Sequence, residues 1–299
     1  MKPPILFMKR DYRDISGKID PHLVAAIEDL WRFASAVGTE LVVIGATARD
    51  IMFEHIYNVR APRATVDIDI AIRLANWEGF ESLKKEMLLS DIFTKDKKSQ
   101  HRFYHMNGQS FDIIPFGDIE KPRGNIRWAN QNDMSTLGFV EAVNGAISCR
   151  ISPNLVILVS SLPSLVIMKL IAWDEAQPHR QRDAKDIGSI LREYINTGIE
   201  QRLSDEDQDL RMAPDFDFGI VGPRLMGRDI AKIITPESLQ LVMKILEHET
   251  KENGYCSLVR DMMESGRNFD EEFEERKSQL KQLMLGILDD LNVTVDQNG

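Results

Sequence analysis

Very little in this chain of 299 residues suggests a disulfide scaffold, a zinc site or a membrane span. Its two cysteines, Cys149 and Cys256, lie far apart and match no zinc or redox spacing. They read as structural thiols of a reducing compartment. No apolar run approaches the ~20 residues that cross a bilayer; the longest, around residues 155–172, is broken by Pro163 and several serines. The first residues carry a few positive charges but no apolar stretch of signal-peptide length. The expectation is a cytoplasmic protein with no membrane partner. A basic excess is also lacking, since the net charge is -10. Residues 1–200 hold 25 Lys plus Arg against 26 Asp plus Glu, and residues 201–299 hold 12 against 21. Non-specific nucleic-acid binders normally carry a basic excess, so any polynucleotide partner has to be held by a local basic patch. Acidity of the last third bears on solubility more than on partners. No internal repeat and no low-complexity linker is present. The remainder, 43% hydrophobic and 28% charged, is ordinary for a globular chain, long enough for one large domain or two smaller ones.

Local patterns place the elements. Asp20-Pro21 reads as an N-cap followed by proline at the first helical position, and Leu23, Ala26, Ile27, Leu30, Ala34 and Val37 then recur at helical spacing up to Gly38. Residues 40–44 form a β-branched run that predicts a buried strand; Gly45 follows, then a helix over 46–57. A basic loop with Arg60, Pro62 and Arg63 leads to residues 65–74, where Val66, Ile68, Ile70 and Ile72 alternate with Asp67, Asp69 and Ala71. Such alternation is a strand. A helix is expected over 76–89. Strands at 102–106 and 110–115 are joined by Asn107-Gly108, a hairpin signal, and one or two more strands fall within 143–159. From Pro163 on, helical periodicity dominates, at about 163–175, 180–195, 224–232, 236–248, 254–264 and 270–291, while the acidic stretch 203–217 reads as an exposed connection. The expected division is an α/β domain over 1–160 and a helical domain over 161–299.

The chemistry lies in an ordered set: strand, Gly45, helix; a second strand carrying Asp67 and Asp69; a third carrying Asp112. Aspartates two apart on a strand share a face, roughly 7 Å apart at the backbone. Converging carboxylates repel one another, and a divalent cation relieves that repulsion. Mg²⁺ favours one or two carboxylates together with water and substrate phosphates, and a third carboxylate from a neighbouring strand suits a two-metal arrangement for phosphoryl chemistry. Backbone N–H groups after Gly45, at Ala46 and Thr47, suit phosphate oxygens, and the Thr47 hydroxyl offers a further contact. Set beside this, a D-x-D pair on an exposed strand face is commonly no more than a solvated edge. Order and spacing, with Asp112 on a third strand, favour the metal reading. Asp118 and Glu120 fall in a loop and are weaker candidates.

The blocks Gly45-Ala-Thr-Ala-Arg-Asp50, 65–72 (TVDIDIAI) and 111–117 (FDIIPFG) resemble those of the DNA polymerase β-like nucleotidyltransferases. Within them the chain most resembles the AbiEii/AbiGii toxin family, and residues 137–142, 161–164, 168–173 and 183–187 extend the likeness, so that it covers roughly 40–195. The resemblance implies an α+β fold: a polymerase β-like core, a mixed sheet flanked by helices, followed by an α-helical C-terminal region. It implies Mg²⁺ (or Mn²⁺) on Asp67, Asp69 and Asp112, an NTP substrate at Gly45, Ala46 and Thr47, and Lys169 and Asp186 at the triphosphate. It also implies transfer of an NMP to a hydroxyl acceptor, with a tRNA 3′ end or other RNA and a cognate antitoxin as partners. Departures bear on the acceptor. Ala46 stands where the family has a second glycine or a serine, Arg49-Asp50 resembles the turn of the tRNA CCA-adding enzymes, and Ser189 stands where the family often has another aspartate.

Several residues admit plainer roles. Lys169 sits in an apolar helical pattern, and a lysine there either snorkels to the surface or has a partner. Arg180, Arg182 and Lys185 serve phosphates or pair with Asp183 and Asp186. Lys95, Lys97, Lys98 and Arg102 form a solvated loop or a guide for RNA or a triphosphate. His101 and His105, four apart on a strand, lack the convergence of a helical zinc pair, and Trp77, Trp128 and Trp173 suit packing better than base stacking. Two other functions compete with the transferase: a catalytically silent nucleotide-binding regulatory module, and an antibiotic nucleotidyltransferase.

Overall fold

The structure, a computed structural model, describes residues 11–61, 67–176, 179–212 and 217–297. The chain divides into two compact units, Met1–Ile56 with Arg63–Ser161, and Tyr57–Pro62 with Leu162–Gly299.

In the first unit, β1 (Tyr12–Asp14) precedes α1 (Pro21–Ala36). The Asp20 carboxylate caps α1 by accepting from the His22 amide at 2.7 Å, and Ala26, Ile27, Leu30 and Ala34 are buried along its predicted stripe. β2 (Leu41–Ile44) runs into α2 (Gly45–Asp50). The helix expected over 46–57 does not continue regularly: Ile51–Tyr57 is π-helical, a wider turn that tends to occur at functional positions. β3 (Asp67–Arg73) buries Ile68, Ile70 and Ile72, and Asp67 and Asp69 are half-buried. Thr65 and Val66, expected at its start, lie outside the described residues, as do Pro62 and Arg63. Next come α3 (Trp77–Leu89), β4 (Phe93–Lys95), β5 (Arg102–His105), β6 (Ser110–Phe116), β7 (Asn125–Arg127), β8 (Asp133–Ser135), α4 (Phe139–Asn144), β9 (Ile147–Ser152) and β10 (Leu155–Val159). Val143 therefore ends a helix rather than opening a strand, and three short strands, β4, β7 and β8, have too few residues to show a period.

Among the described residues eight strands form one mixed sheet in the order β1-β9-β10-β2-β3-β6-β5-β4, and β7 and β8 pair separately. β3 is central, antiparallel to β2 and parallel to β6. The expected hairpin joins β5 to β6.

The second unit is helical. It contains α5 (Leu162–Glu175), α6 (Gln181–Glu193), α7 (Glu200–Asp205), α8 (Gln208–Arg211), α9 (Phe218–Ala231), α10 (Pro236–Glu249), α11 (Ser257–Met262) and α12 (Phe269–Gln297). α5 is buried over nearly its whole circumference, which is why its sequence is apolar all round. α12 crosses α9 at Gly286, where a Cβ would stand 2.9 Å from the Arg224 carbonyl carbon, so only glycine permits the approach. The acidic stretch expected as an exposed connection is partly helical, and its charges are in use. Arg202 pairs with Asp207 and Asp229, Arg228 joins Asp207, Asp209 and Asp289, and Arg224 holds Asp289. Several acids of the last third are thus partners of half-buried arginines. The α+β expectation holds: a mixed sheet with helices on it, then a helical region. Among the described residues no helix is long and apolar enough to cross a membrane.

Candidate active site

Register on β3 brings the carboxylates together. Asp69 lies opposite Ile44 of β2 and opposite Asp112 of β6, while Asp67 lies opposite Ser110. The turn out of β2 then passes directly over Asp69. Gly45 adopts φ +65°, and a Cβ there would come within 2.8 Å of the Asp69 carboxyl carbon. Glycine is required twice at this position, for its left-handed backbone and for the missing side chain. The Ser110 hydroxyl donates to Asp67 Oδ1. Thr47, buried, donates its hydroxyl to the Asp67 backbone carbonyl at 2.9 Å. The hydroxyl expected at a phosphate is therefore donated inward, where it ties the Gly45 turn to β3. Arg49, fully buried, places two guanidinium nitrogens on Asp50 Oδ1 at 2.9 and 2.6 Å.

Arg102, which the sequence puts both at the start of a strand and at the end of a basic run, belongs to this site. It lies opposite Asp112 in the β5–β6 register. Its Nε and Nη2 donate to the two Asp112 carboxylate oxygens at 2.8 and 2.7 Å, and Nη2 stands 3.5 Å from Asp67 Oδ2. Hydrogen bonding to Asp112 raises the guanidinium pKa further above its ordinary value, so this cation is permanent. Alternation along the strand had placed Arg102 in a basic run; it did not show which strand residue it would face.

Asp67 and Asp69 share a face of β3, whereas Asp112 is turned to Arg102. Among the described residues no group of three or more His, Cys, Asp and Glu is assembled for a metal ion. The donor chemistry nevertheless fits a hard divalent cation. Asp67 and Asp69 supply carboxylate oxygen, and the guanidinium lodged against Asp112 and Asp67 marks a place that already selects positive charge.

Lys169 and Asp186 belong to the second unit, and they meet there. Lys169 Nζ donates to Asp186 Oδ2 at 2.7 Å and to Asp183 Oδ1 at 3.0 Å, with Lys169 8% and Asp186 3% exposed. A buried ammonium between two carboxylates is compensated rather than snorkelling. Arg180 also reaches Asp183, at 3.1 Å.

The remaining candidates have other partners. His105 Nε2 lies 3.1 Å from Asp29 on α1, and His101 lies against the Trp128 ring at 5.5 Å. Trp77, Phe80 and Trp128 form an edge-to-face cluster. Glu120 accepts from the Gly117 and Gly124 amides and the Thr136 hydroxyl, which shapes the loop after β6. Both cysteines are unpaired and buried, and burial pushes the Cys149 thiol up to about 12.

No family model matches the chain, and no curated protein is similar to it. Among solved structures, ANT(2")-Ia in complex with adenylyl-2"-tobramycin is 14% identical over 52% of this chain and 79% of its own, with a TM-score of 0.33. The CCA-adding enzyme of Thermotoga maritima complexed with tRNA is 12% identical over 92% and 83%, with a TM-score of 0.26. JHP933 from Helicobacter pylori is 11% identical over 94% and 100%, with a TM-score of 0.25. At these identities and TM-scores the likenesses do not carry an assignment, which rests on the residues of the site.

Proposed function

We propose that this chain is a nucleotidyltransferase of the polymerase β-like type, moving an NMP from an NTP to a hydroxyl acceptor with release of pyrophosphate. One observation carries the reading: the Gly45 turn is packed onto Asp69, which faces Asp112 across the register, with Asp67 two residues away on the same strand face. A glycine turn closed over a carboxylate pair brings backbone N–H groups and anionic oxygens to one place. That combination suits a triphosphate held beside a divalent cation.

In this reading Asp67 and Asp69 hold Mg²⁺ or Mn²⁺, which supplies charge neutralisation for the triphosphate and the attacking oxygen. The backbone N–H groups of Gly45 and Ala46 would meet the phosphates. Thr47 and Ser110 orient Asp67 through the bonds they donate to it. Asp112, with Arg102 as its counter-ion, lies opposite Asp69 on the adjacent strand and would be the third carboxylate beside the cation. Lys169 and Asp186 take a nucleotide role only where Lys169 exchanges a carboxylate partner for a phosphate oxygen. The resemblance to AbiEii-type toxins makes a tRNA 3′ end the first acceptor to test, and a cognate antitoxin the first protein partner.

The test is transfer of label from each NTP, with Mg²⁺, to total tRNA, to protein and to an aminoglycoside. Label transfer that disappears in Asp69→Asn supports the reading, and the labelled acceptor names the substrate. Nucleotide binding with no transfer to any acceptor would leave a silent regulatory module instead.

A further inference from the structure

The row of the sheet that carries Asp67 continues outward to an aromatic ring. Asp67 on β3 lies opposite Ser110 on β6, Ser110 opposite Tyr104 on β5, and Tyr104 opposite Thr94 on β4. Side chains in one such row share a face of the sheet, so Tyr104 stands on the face of the carboxylates. It is two strand spacings, about 10 Å, from Asp67 at the backbone. Its neighbours in the row, Ser110 and Thr94, are small, and Tyr104 is 37% exposed.

A single exposed tyrosine is ordinary, but this one is anchored. Its hydroxyl donates to Asp96 Oδ2 at 2.9 Å, and Asp96 Oδ1 accepts from the Lys98 and Ser99 amides, both at 2.7 Å. The bond to Asp96 raises the phenol pKa above its ordinary value, so the donor persists. The ring is thus held at one end by β5 and at the other by the 96–99 loop, and a ligand that stacks on it has little left to order. That loop also carries Lys97 and Lys98, both exposed. A fixed, open ring beside long cationic side chains is the pairing that holds single-stranded nucleic acid, with bases on the ring and phosphates on the lysines.

The Gly45 turn decides which nucleotide the ring serves. It closes on Asp69 from the β2 side, and in the nucleotidyltransferase reading the triphosphate lies there. Phosphoryl transfer runs in line, with the attacking oxygen opposite the leaving pyrophosphate. The acceptor therefore approaches from the other side of β3, where β6 and β5 lie.

We propose that Tyr104 is the stacking platform for the terminal base of a single-stranded nucleic-acid acceptor, whose phosphates meet Lys97 and Lys98. The inference rests on the nucleotidyltransferase reading and deepens it by naming the class of acceptor.

Fluorescence anisotropy of a short labelled single-stranded RNA, titrated with the full chain in the absence of NTP, tests it. Tyr104→Leu removes the π face and keeps an apolar side chain. It is expected to weaken RNA binding about tenfold, the loss of one base–aromatic stack, with ATP affinity unchanged. Tyr104→Phe keeps the ring and drops only the bond to Asp96, so its RNA affinity should stay within about threefold of the wild type. The same RNA with an abasic 3′-terminal nucleotide separates stacking from a folding defect: it should bind the wild type about tenfold more weakly, and the Leu variant no more weakly than intact RNA does. Equal RNA affinity of wild type and Tyr104→Leu overturns the proposal, as does an RNA that the wild type does not bind. So does an abasic penalty as large in the variant as in the wild type, or a loss of ATP affinity in place of RNA affinity, which would give the ring to the incoming nucleotide. Label transfer that survives Asp69→Asn would instead sink the parent reading and leave the RNA-binding result standing.

Discussion

Replacing Arg102 by methionine isolates the electrostatics of the site. The side chain is 34% exposed and its partner Asp112 14%, so the pair is neither a surface ion pair nor a fully buried one. Two unit charges about 4 Å apart attract by roughly 4 kcal/mol at an effective dielectric constant of about 20. Desolvation of the carboxylate offsets part of that, and the part-exposed guanidinium is screened by solvent, which leaves a net effect near 2 kcal/mol. Removing the cation also takes from Asp112 and Asp67 the guanidinium they share. At roughly 2–4 °C per kcal/mol for a unit of this size, Tm of the Arg102→Met variant in EDTA should fall by about 4–8 °C. Because the deleted charge competes with any divalent cation for these carboxylates, Mg²⁺ should recover more Tm in the variant than in the wild type. Thermal melts of both proteins with EDTA and with Mg²⁺ provide the measurement. Equal melting temperatures without metal, together with an equal Mg²⁺ increment, would refute the assignment of Arg102 as counter-ion of the site.

Three further outcomes follow from the geometry. Gly45→Ala places a methyl group against Asp69 at a left-handed backbone position; it should destabilise the first unit by about 2 kcal/mol or more and weaken ATP binding, both measurable by calorimetry. Lys169→Met leaves Asp186 buried without its cation, an expected loss of about 3–5 kcal/mol, and the double variant with Asp186→Asn should regain much of it in urea unfolding; if the double variant is no more stable than the single, the buried pair is not the cause. Amides of Ser99 and Lys98 hold the Asp96 carboxyl down at about 2. A depressed carboxylate contributes stability that is complete above its unfolded pKa of about 3.9 and lost as pH falls through the folded value. The loop should therefore stay ordered at pH 4 and loosen toward pH 2, followed through the Asp96 carboxyl carbon shift by NMR, where a midpoint near 3.9 would contradict the bonding described.

Period and capping were enough for much of the architecture. Asp20-Pro21 set the start of α1, alternation over residues 65–74 marked β3, and Asn107-Gly108 marked the hairpin, because each of these depends on neighbours in sequence. The Asp67, Asp69 and Gly45 order was legible for the same reason. What faces each carboxylate was not, since register is a long-range property in which a one-residue slip exchanges every partner. In the β5–β6 pair the partners are Arg102↔Asp112 and Phe103↔Phe111. A slip by one would have brought Phe103 to Asp112 and left the carboxylates without their cation. Lys169 likewise read as a snorkelling lysine or, on the resemblance, as a triphosphate ligand, and its carboxylate partners were not legible until packing of α6 beside α5 brought Asp183 and Asp186 to it. By itself the sequence determined the longer strands, the turn and the acidic residues on them. Tertiary structure alone decided that Gly45 closes on Asp69, that Arg102 neutralises Asp112 and that Lys169 sits between Asp183 and Asp186, because those contacts form between residues whose separation along the chain carries no local signal.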